Sequence, residues 1–289
     1  MVNLKFEKDI FLESIYSSAA CLFKRIKNVY FEANDITNDS IDSLIRSIEI
    51  FESNNLIEVE NFQLVLKYPK LIQNLSKLAN SKLKILTLKD KHAENNYGID
   101  FFYNFTSLVD LEIQISNLGD FLNKNELCLF SKMINLKYLK IFAISKNLRI
   151  QENVFNGLIN LEYLGLYSNS IEILHENSFR NLKKLNKLEI ISNQIQLEIM
   201  HGALNGLFNL KELSFSNQRL FFTNEIGKTG FESNNRIIPK SLFSDLIKLE
   251  YLDFSFNGIE SFEEGAFENL KCLKKLNLSL NYLSKINTR

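Results

Sequence analysis

One spacing of apolar residues, repeated along the chain, constrains this sequence more than any other feature: Leu-x-x-Leu-x-Leu-x-x-Asn. Leu161, Leu164, Leu166, Asn169 and Ile171 fill the frame, and Leu185, Leu188, Ile190, Asn193 and Ile195 fill it again 24 residues later. Leu249, Leu252, Phe254, Asn257 and Ile259 are followed, also after 24 residues, by Leu273, Leu276, Leu278, Asn281 and Leu283. Further starts at Ile26, Leu56, Leu83, Leu108, Leu136 and Leu210 make about ten units from Ile26 onward, of which the Leu56 unit matches worst.

Each position has a physical reason. In Leu-x-x-Leu-x-Leu, alternation sends Leu164 and Leu166 to one face of a short strand and the residues between them to the other. A single unit cannot bury its apolar face alone, so successive units must stack, and stability is a nearest-neighbour sum. Asn169, Asn193, Asn257 and Asn281 fall where the chain leaves the strand; their amides supply donors and acceptors to backbone groups that would otherwise be stranded inside. Gln218, Lys91 and Ser116 stand at that position in three other units, which are expected to be locally less regular.

The 24-residue units, with Phe179 and Phe267 between the asparagine and the next leucine, resemble the typical class of leucine-rich repeats found in Toll-like receptors and similar proteins. The Ile26 unit (Ile26, Val29, Phe31, Asn34, Ile36) resembles the longer ribonuclease-inhibitor class. The resemblance implies an α/β leucine-rich-repeat solenoid with a parallel sheet on the concave face. It also implies a non-enzymatic module that holds a protein partner there.

Before the repeats, Phe11, Ile15, Ala19 and Leu22 follow helical spacing, and residues 1–25 are read as an amphipathic capping helix, with residues 26–289 as the repeat domain. The alternative role for that helix is docking, as in a substrate-recruiting adaptor of a ubiquitin ligase, although the proline and tryptophan associated with such a motif are absent. The interval from Leu210 to Leu249 is 39 residues, and the excess is placed at 221–236 as a projecting loop carrying Phe221, Phe222 and Phe231 among Asn224, Lys228 and Asn234. Arg289 falls in mid-unit, leaving Leu276, Leu278, Leu283 and Ile286 at an open edge that favours self-association, a partner or a chain that continues.

Composition narrows the function. Lysine plus arginine equal aspartate plus glutamate at 34 each, so the overall charge offers no pull toward nucleic acid or anionic membranes, and a protein partner is expected. No stretch approaches the ~18 uninterrupted apolar residues of a membrane span. The three cysteines, Cys21, Cys128 and Cys272, form neither a disulfide framework nor a zinc pattern. Lys5, Glu7, Lys8, Asp9 and Glu13 interrupt the apolar run a secretory signal requires, which points to a cytoplasmic location or delivery without a classical signal peptide. Ser18-Ala19-Ala20-Cys21 has the small residues of a lipoprotein cleavage site but lacks its leucine; a surface receptor or adhesin is the reading that such processing would revive. Glycosylation triplets begin at Asn38, Asn74, Asn104 and Asn277, a short and common pattern.

Catalytic chemistry is not legible. His92, His175 and His201 are scattered and read as surface residues, and Gly227-Lys228-Thr229 lacks the first glycine of a phosphate-binding loop, since Phe222 stands there. No metal or cofactor is called for. The candidate site is therefore the grid of outward-facing strand residues. Adjacent strands lie ~4.8 Å apart, so Tyr138 and Tyr163 become side-by-side neighbours, as do Phe142 and Tyr167, with Lys140 in the same patch. Along the same column follow Lys187, Glu212, Tyr251 and Lys275, with Asp253 and Phe256 nearby. Aromatics held on a rigid sheet bury much area while losing little rotamer freedom, which suits them as interface anchors.

Overall fold

The structure is a computed structural model that describes residues 3–7, 28–34, 61–67, 83–90, 100–103, 105–115, 118, 122, 129–142, 148–167, 170–191, 196–223 and 236–283. The chain divides into two compact units, Met1–Asn117 and Leu118–Arg289.

In the first unit, strands β1 (Asn3–Glu7), β2 (Asn28–Asn34), β3 (Asn61–Lys67), β4 (Ile85–Asp90) and β5 (Asp110–Ile115) pair in parallel in chain order. The region assigned to a cap thus opens with a strand. Leu4 and Phe6 take the register of Val29 and Phe31, one repeat earlier than the first unit read from the sequence. The signal was present as Met1-x-x-Leu4-x-Phe6-x-x-Asp9, a frame with methionine at its head. The helix expected over Phe11 to Leu22 lies outside the described residues. The Leu56 unit is also corrected: Phe62 and Leu64 pair with Val29 and Phe31, so its frame starts at Val59. A start at Leu56 would turn the amide of Asn61 into the dry interior, where an unpaired polar group is costly.

The second unit is a parallel-strand solenoid of about six turns. Its long sheet runs β6 (Tyr138–Phe142), β8 (Tyr163–Tyr167), β10 (Lys187–Ile191), β12 (Glu212–Ser216), β15 (Tyr251–Asp253) and β17 (Lys275–Asn277). A second layer pairs β7 (Leu148–Ile150), β9 (Ile171–Leu174), β11 (Gln196–Met200) and β13 (Arg219–Thr223), and β14 (Ile237–Ile238) pairs with β16 (Ser261–Phe262). Between the layers the frame leucines are buried in register: Leu139, Leu164, Leu188, Leu213 and Leu252. Phe130, Phe155 and Phe179 stack along the return turns with ring centroids 6.3 and 5.8 Å apart, which explains the phenylalanine of the repeat.

Helix is slight. Among the described residues it is confined to Asp100–Tyr103 and to positions Leu118 and Leu122, and the return segments are chains of tight turns. A 24-residue repeat spends too many residues on two strands to leave the length an α-helix needs once its costly first turn is formed.

The ladder works with glutamine as well as asparagine. Asn281 Nδ2 donates to Phe254 O at 2.8 Å, Asn257 Nδ2 donates to Phe215 O, and Gln218 Nε2 donates to Ile190 O, each reaching the same carbonyl of the preceding turn. Gln218 is buried and its own N–H donates to Asn257 Oδ1 at 3.1 Å, so the turn expected to be irregular keeps its ladder bond. Asn169 and Asn193 lie outside the described residues.

The 221–236 insertion also needs correcting at its start. Phe221 and Phe222 belong to β13, in register with Glu198 and Ile199 of β11, and Phe222 is 1% exposed in the core. Both therefore stand in a strand and not in a projecting loop, and the core requires Phe222. Residues 224–235, with Asn224, Lys228, Phe231 and Asn234, lie outside the described residues. One turn thus supplies two second-layer strands, β13 to the turns before it and β14 to the turn after.

Candidate functional site

Alternation turns the first, third and fifth residues of each strand away from the core, so outward side chains form rows across the long sheet. Register places Tyr138 beside Tyr163 beside Lys187 beside Glu212 beside Tyr251 beside Lys275. The next row is Lys140, Gly165, Glu189, Ser214, Asp253 and Asn277. Phe142, Tyr167 and Ile191 open the third.

The predicted aromatic patch forms, in a more constrained way than side-by-side exposure implied. Phe142 and Tyr167 stack with centroids 4.9 Å apart and planes 20° from parallel, and Lys140 Nζ lies 6.0 Å from the Tyr163 ring centre. Tyr163 and Tyr167 lean toward each other across Gly165, where a Cβ would meet the Tyr167 ring and would lie 2.8 Å from the Tyr167 hydroxyl and 2.9 Å from that of Tyr163. Glycine in a strand marks such a close approach. Both hydroxyls donate to Glu189 Oε2 on the neighbouring strand, Tyr163 at 2.6 Å, and the two hydroxyl oxygens also meet.

Glu189 is the hinge of the arrangement. Its other oxygen, Oε1, is 3.0 Å from Lys187 Nζ, and Lys187 reaches Glu212 at 3.0 Å. Burial works to raise the Glu189 carboxyl, but hydrogen bonds from Tyr163, Tyr167 and Lys187 outweigh it and hold the group below the usual carboxylate value. Burial first, then the bond to Glu189, raises both phenols, with Tyr167 pushed up to about 12. The cluster is a neutral-phenol, ionised-carboxylate network at ordinary pH.

Beyond it the face becomes charged. A groove of about 650 Å³ is lined by Lys187, Glu189, Glu212, Ser214, Tyr251 and Lys275, among others. Tyr251 donates to Asp253 Oδ2 at 3.1 Å, and Ser255 donates to Asp253 Oδ1 from its backbone at 2.9 Å and its hydroxyl at 2.7 Å. Burial raises the Asp253 carboxyl, and these bonds more than reverse the effect. Phe256, predicted to join this group, lies past the end of β15 with φ of 59° and is 54% exposed. It shares the left-handed conformation with Asn217 and Leu280, each just before a ladder residue, where the chain swings inward.

Sequence reading thus found Tyr138, Lys140, Phe142, Tyr163, Tyr167, Lys187, Glu212, Tyr251 and Asp253 on one face, and missed Gly165 and Glu189. The missed pair was accessible from its offset, since both stand at the outward position of the frame occupied by Lys140, and a glycine there is a signal in itself. His175, expected at the surface, has its Nε2 buried without a hydrogen-bond partner, and burial followed by the nearby Arg149 charge lowers its pKa. It follows β9 in the second layer, apart from the sheet face. Among the described residues no group of three or more His, Cys, Asp or Glu side chains is placed to hold a metal ion, and no helix is long and apolar enough to cross a membrane.

Comparison with known proteins agrees with this architecture. A family model described as leucine rich repeat matches residues 135–195 and 233–283. Osteomodulin of Bos taurus is 27% identical over 262 residues, covering 90% of this chain and 48% of osteomodulin. Toll-like receptor 8 of Homo sapiens is 28% identical over 187 residues, covering 61% of this chain and 17% of the receptor. The chain therefore spans less than half the length of these relatives. Among solved structures, the Toll chain of the Drosophila Toll–Spatzle complex superposes with a TM-score of 0.55 at 17% identity, covering 96% of this chain and 40% of that one, a likeness of fold. With the repeat frame, its ladder and these matches in agreement, the chain is a leucine-rich-repeat protein whose repeats resemble those of the Toll-like receptors.

Proposed function

We propose that the chain is a receptor-like recognition module that takes a protein ligand across the outward face of β6 to β17. The observation that carries this reading is the Tyr163–Tyr167–Glu189 cluster over Gly165. It holds large amphipathic side chains in place on a rigid sheet before any ligand arrives, which lowers the ordering cost of binding. The adjoining groove, with Lys187, Glu212, Asp253 and Lys275, adds charged groups that fix orientation more than they add affinity. The Toll-like receptors among the relatives favour a receptor-like role over an enzyme-recruiting adaptor.

The test is affinity capture from lysate with the wild-type chain beside two variants whose fold is confirmed by circular dichroism, Tyr138→Glu/Tyr163→Glu and Lys187→Glu/Lys275→Glu. The reading requires a protein captured by wild type and lost with the aromatic variant, with weaker, salt-dependent capture by the charge variant. Equal capture by all three would remove the sheet face from the function.

A further inference from the structure

A second exposed surface with repeating chemistry lies in residues 118–289, on the turns that lead into the long sheet. The residue two places before the first leucine of each frame is Ile134, Ile159, Lys183, Phe208, Ile247 and Lys271 in successive turns. The four apolar members are between 45% and 53% exposed, although each turn could bear any polar residue there. Lys183 Nζ sits 5.6 Å from the centre of the Phe208 ring.

The adjacent column is polar and tied down. Asn160 Nδ2 donates to Ile134 O at 2.7 Å and Asn209 Nδ2 to Lys183 O at 2.8 Å, each bridging to the turn before. Lys184 and Lys248 donate to the oxygens of those asparagines at 2.7 and 2.8 Å. The result is an external set of side-chain bonds that tie each turn to the one before it.

We propose that this flank is a docking surface for an acidic amphipathic helix of a partner protein. Charge is the first argument. The chain as a whole is balanced at 34 and 34, yet the carboxylates one place after the first leucine, Glu162 and Glu250, are each taken by a lysine of a neighbouring turn, Lys137 at 3.0 Å and Lys274 at 2.6 Å. Among the described residues Lys183, Lys184, Lys248 and Lys271 form no ion pair, so their ammonium groups can take carboxylates of a partner.

Shape is the second argument. The apolar line is one residue wide and reads apolar, apolar, basic, then apolar, apolar, basic. A bilayer would need a broader apolar area to be worth entering, whereas a helix lying along the flank offers a matching line. Five steps of ~4.8 Å span about 24 Å, the length of roughly sixteen helical residues, and a helical pitch of ~5.4 Å brings about one inward residue to each turn. The complementary helix has apolar residues facing Ile134, Ile159, Phe208 and Ile247 and carboxylates facing Lys183 and Lys271. This surface is separate from the sheet face, and its occupancy does not depend on what binds there.

The experiment selects a displayed library of sixteen-residue helical peptides on the full chain, with counter-selection on a Lys183→Glu/Lys271→Glu variant of unchanged thermal unfolding. Selected peptides are expected to carry acidic residues at every third turn with apolar residues between. Their affinity by fluorescence anisotropy is expected to fall at least tenfold on the double charge variant and severalfold on Phe208→Ser, and to be unchanged on Tyr138→Glu/Tyr163→Glu. Failure to enrich acidic amphipathic sequences, or equal affinity for the charge variant, overturns the proposal. So does co-sedimentation with phosphatidylserine vesicles that is lost on Lys183→Glu/Lys271→Glu while no peptide is enriched, which would assign the flank to a membrane.

Discussion

Strands β6 and β8 share a register and a core with strands β12, β15 and β17, yet their outward faces are organised in opposite ways. On the first, ring stacking and hydroxyl bonds to one carboxylate lock Phe142, Tyr163 and Tyr167 together above a glycine. On the second, exposed ion pairs and short bonds within a strand leave a groove whose charged ends remain in water. The backbone is the same; what differs is whether outward side chains spend their bonding capacity on each other. The aromatic half is held in place by its own bonds and is part-buried, and suits selectivity by shape. The charged half is adaptable and suits selectivity by charge, with β10 and its Glu189 joining the two.

The largest effect is expected from giving Gly165 a side chain. Gly165→Val would push the tyrosines off the strand, and overpacking of this kind costs about 2–3 kcal/mol. Denaturant unfolding should show that loss, and tyrosine fluorescence should show newly solvated phenols; an unchanged midpoint would mean the rings are not held over the strand. Glu189→Gln keeps the shape and removes the charge, with an expected cost of about 1–2 kcal/mol. An ultraviolet absorbance titration should then show Tyr167 ionising below about 12, with the part of the rise that burial causes remaining. A raised phenol stabilises the fold below pH 10 and loses that contribution as pH climbs toward 12, while the lowered Glu189 carboxyl stabilises it above pH 4.5 and loses that as pH falls below its folded value. The variant should flatten stability at both ends of the pH range.

In the charged half effects are smaller. Phe256→Asn replaces a bulky residue at φ of 59° with one that tolerates the left-handed region, and should stabilise the chain by about 1 kcal/mol. If ligand capture drops while stability rises, Phe256 joins the charged half of the site; unchanged capture leaves it a turn residue. Lys187→Met breaks an ion pair to exposed Glu212 and one to part-buried Glu189, which keeps its bonds from Tyr163 and Tyr167, and should alter thermal stability by no more than about 0.5 kcal/mol. A larger loss would mean that Lys187 holds Glu189 in place and that the two halves are coupled.

Legibility from sequence followed the repeat. Wherever the frame carried leucine or isoleucine at its inward positions, as at Leu83, Leu108, Leu161 and Leu249, strands and core stand where the spacing placed them. The strand at Asn3–Glu7 was missed because methionine heads its frame, and the Leu56 start misled because Val59 offers an equally apolar beginning three residues later. Phe221 and Phe222 were misplaced because a length excess shows how many residues are extra, not which ones the second layer will claim. For the site, column membership can be counted from the frame, but Glu189 carries no signal there, since a carboxylate at an outward position is ordinary until something is bonded to it.

By itself the sequence determined a stacked coil of parallel strands, its dry side, its ladder position and the rows of its outward side chains, because all of these depend on periodicity, and periodicity is local. Only the tertiary structure decided which outward residues would use one another. Tyr163 and Tyr167 reach Glu189 across a neighbouring strand 22 to 26 residues away, and no spacing within one unit specifies that the tyrosines lean over Gly165 instead of toward solvent. The physical reason is that inward positions are chosen by burial, which every turn shares, whereas outward positions are chosen by pairwise bonds that exist only once neighbouring turns are in register.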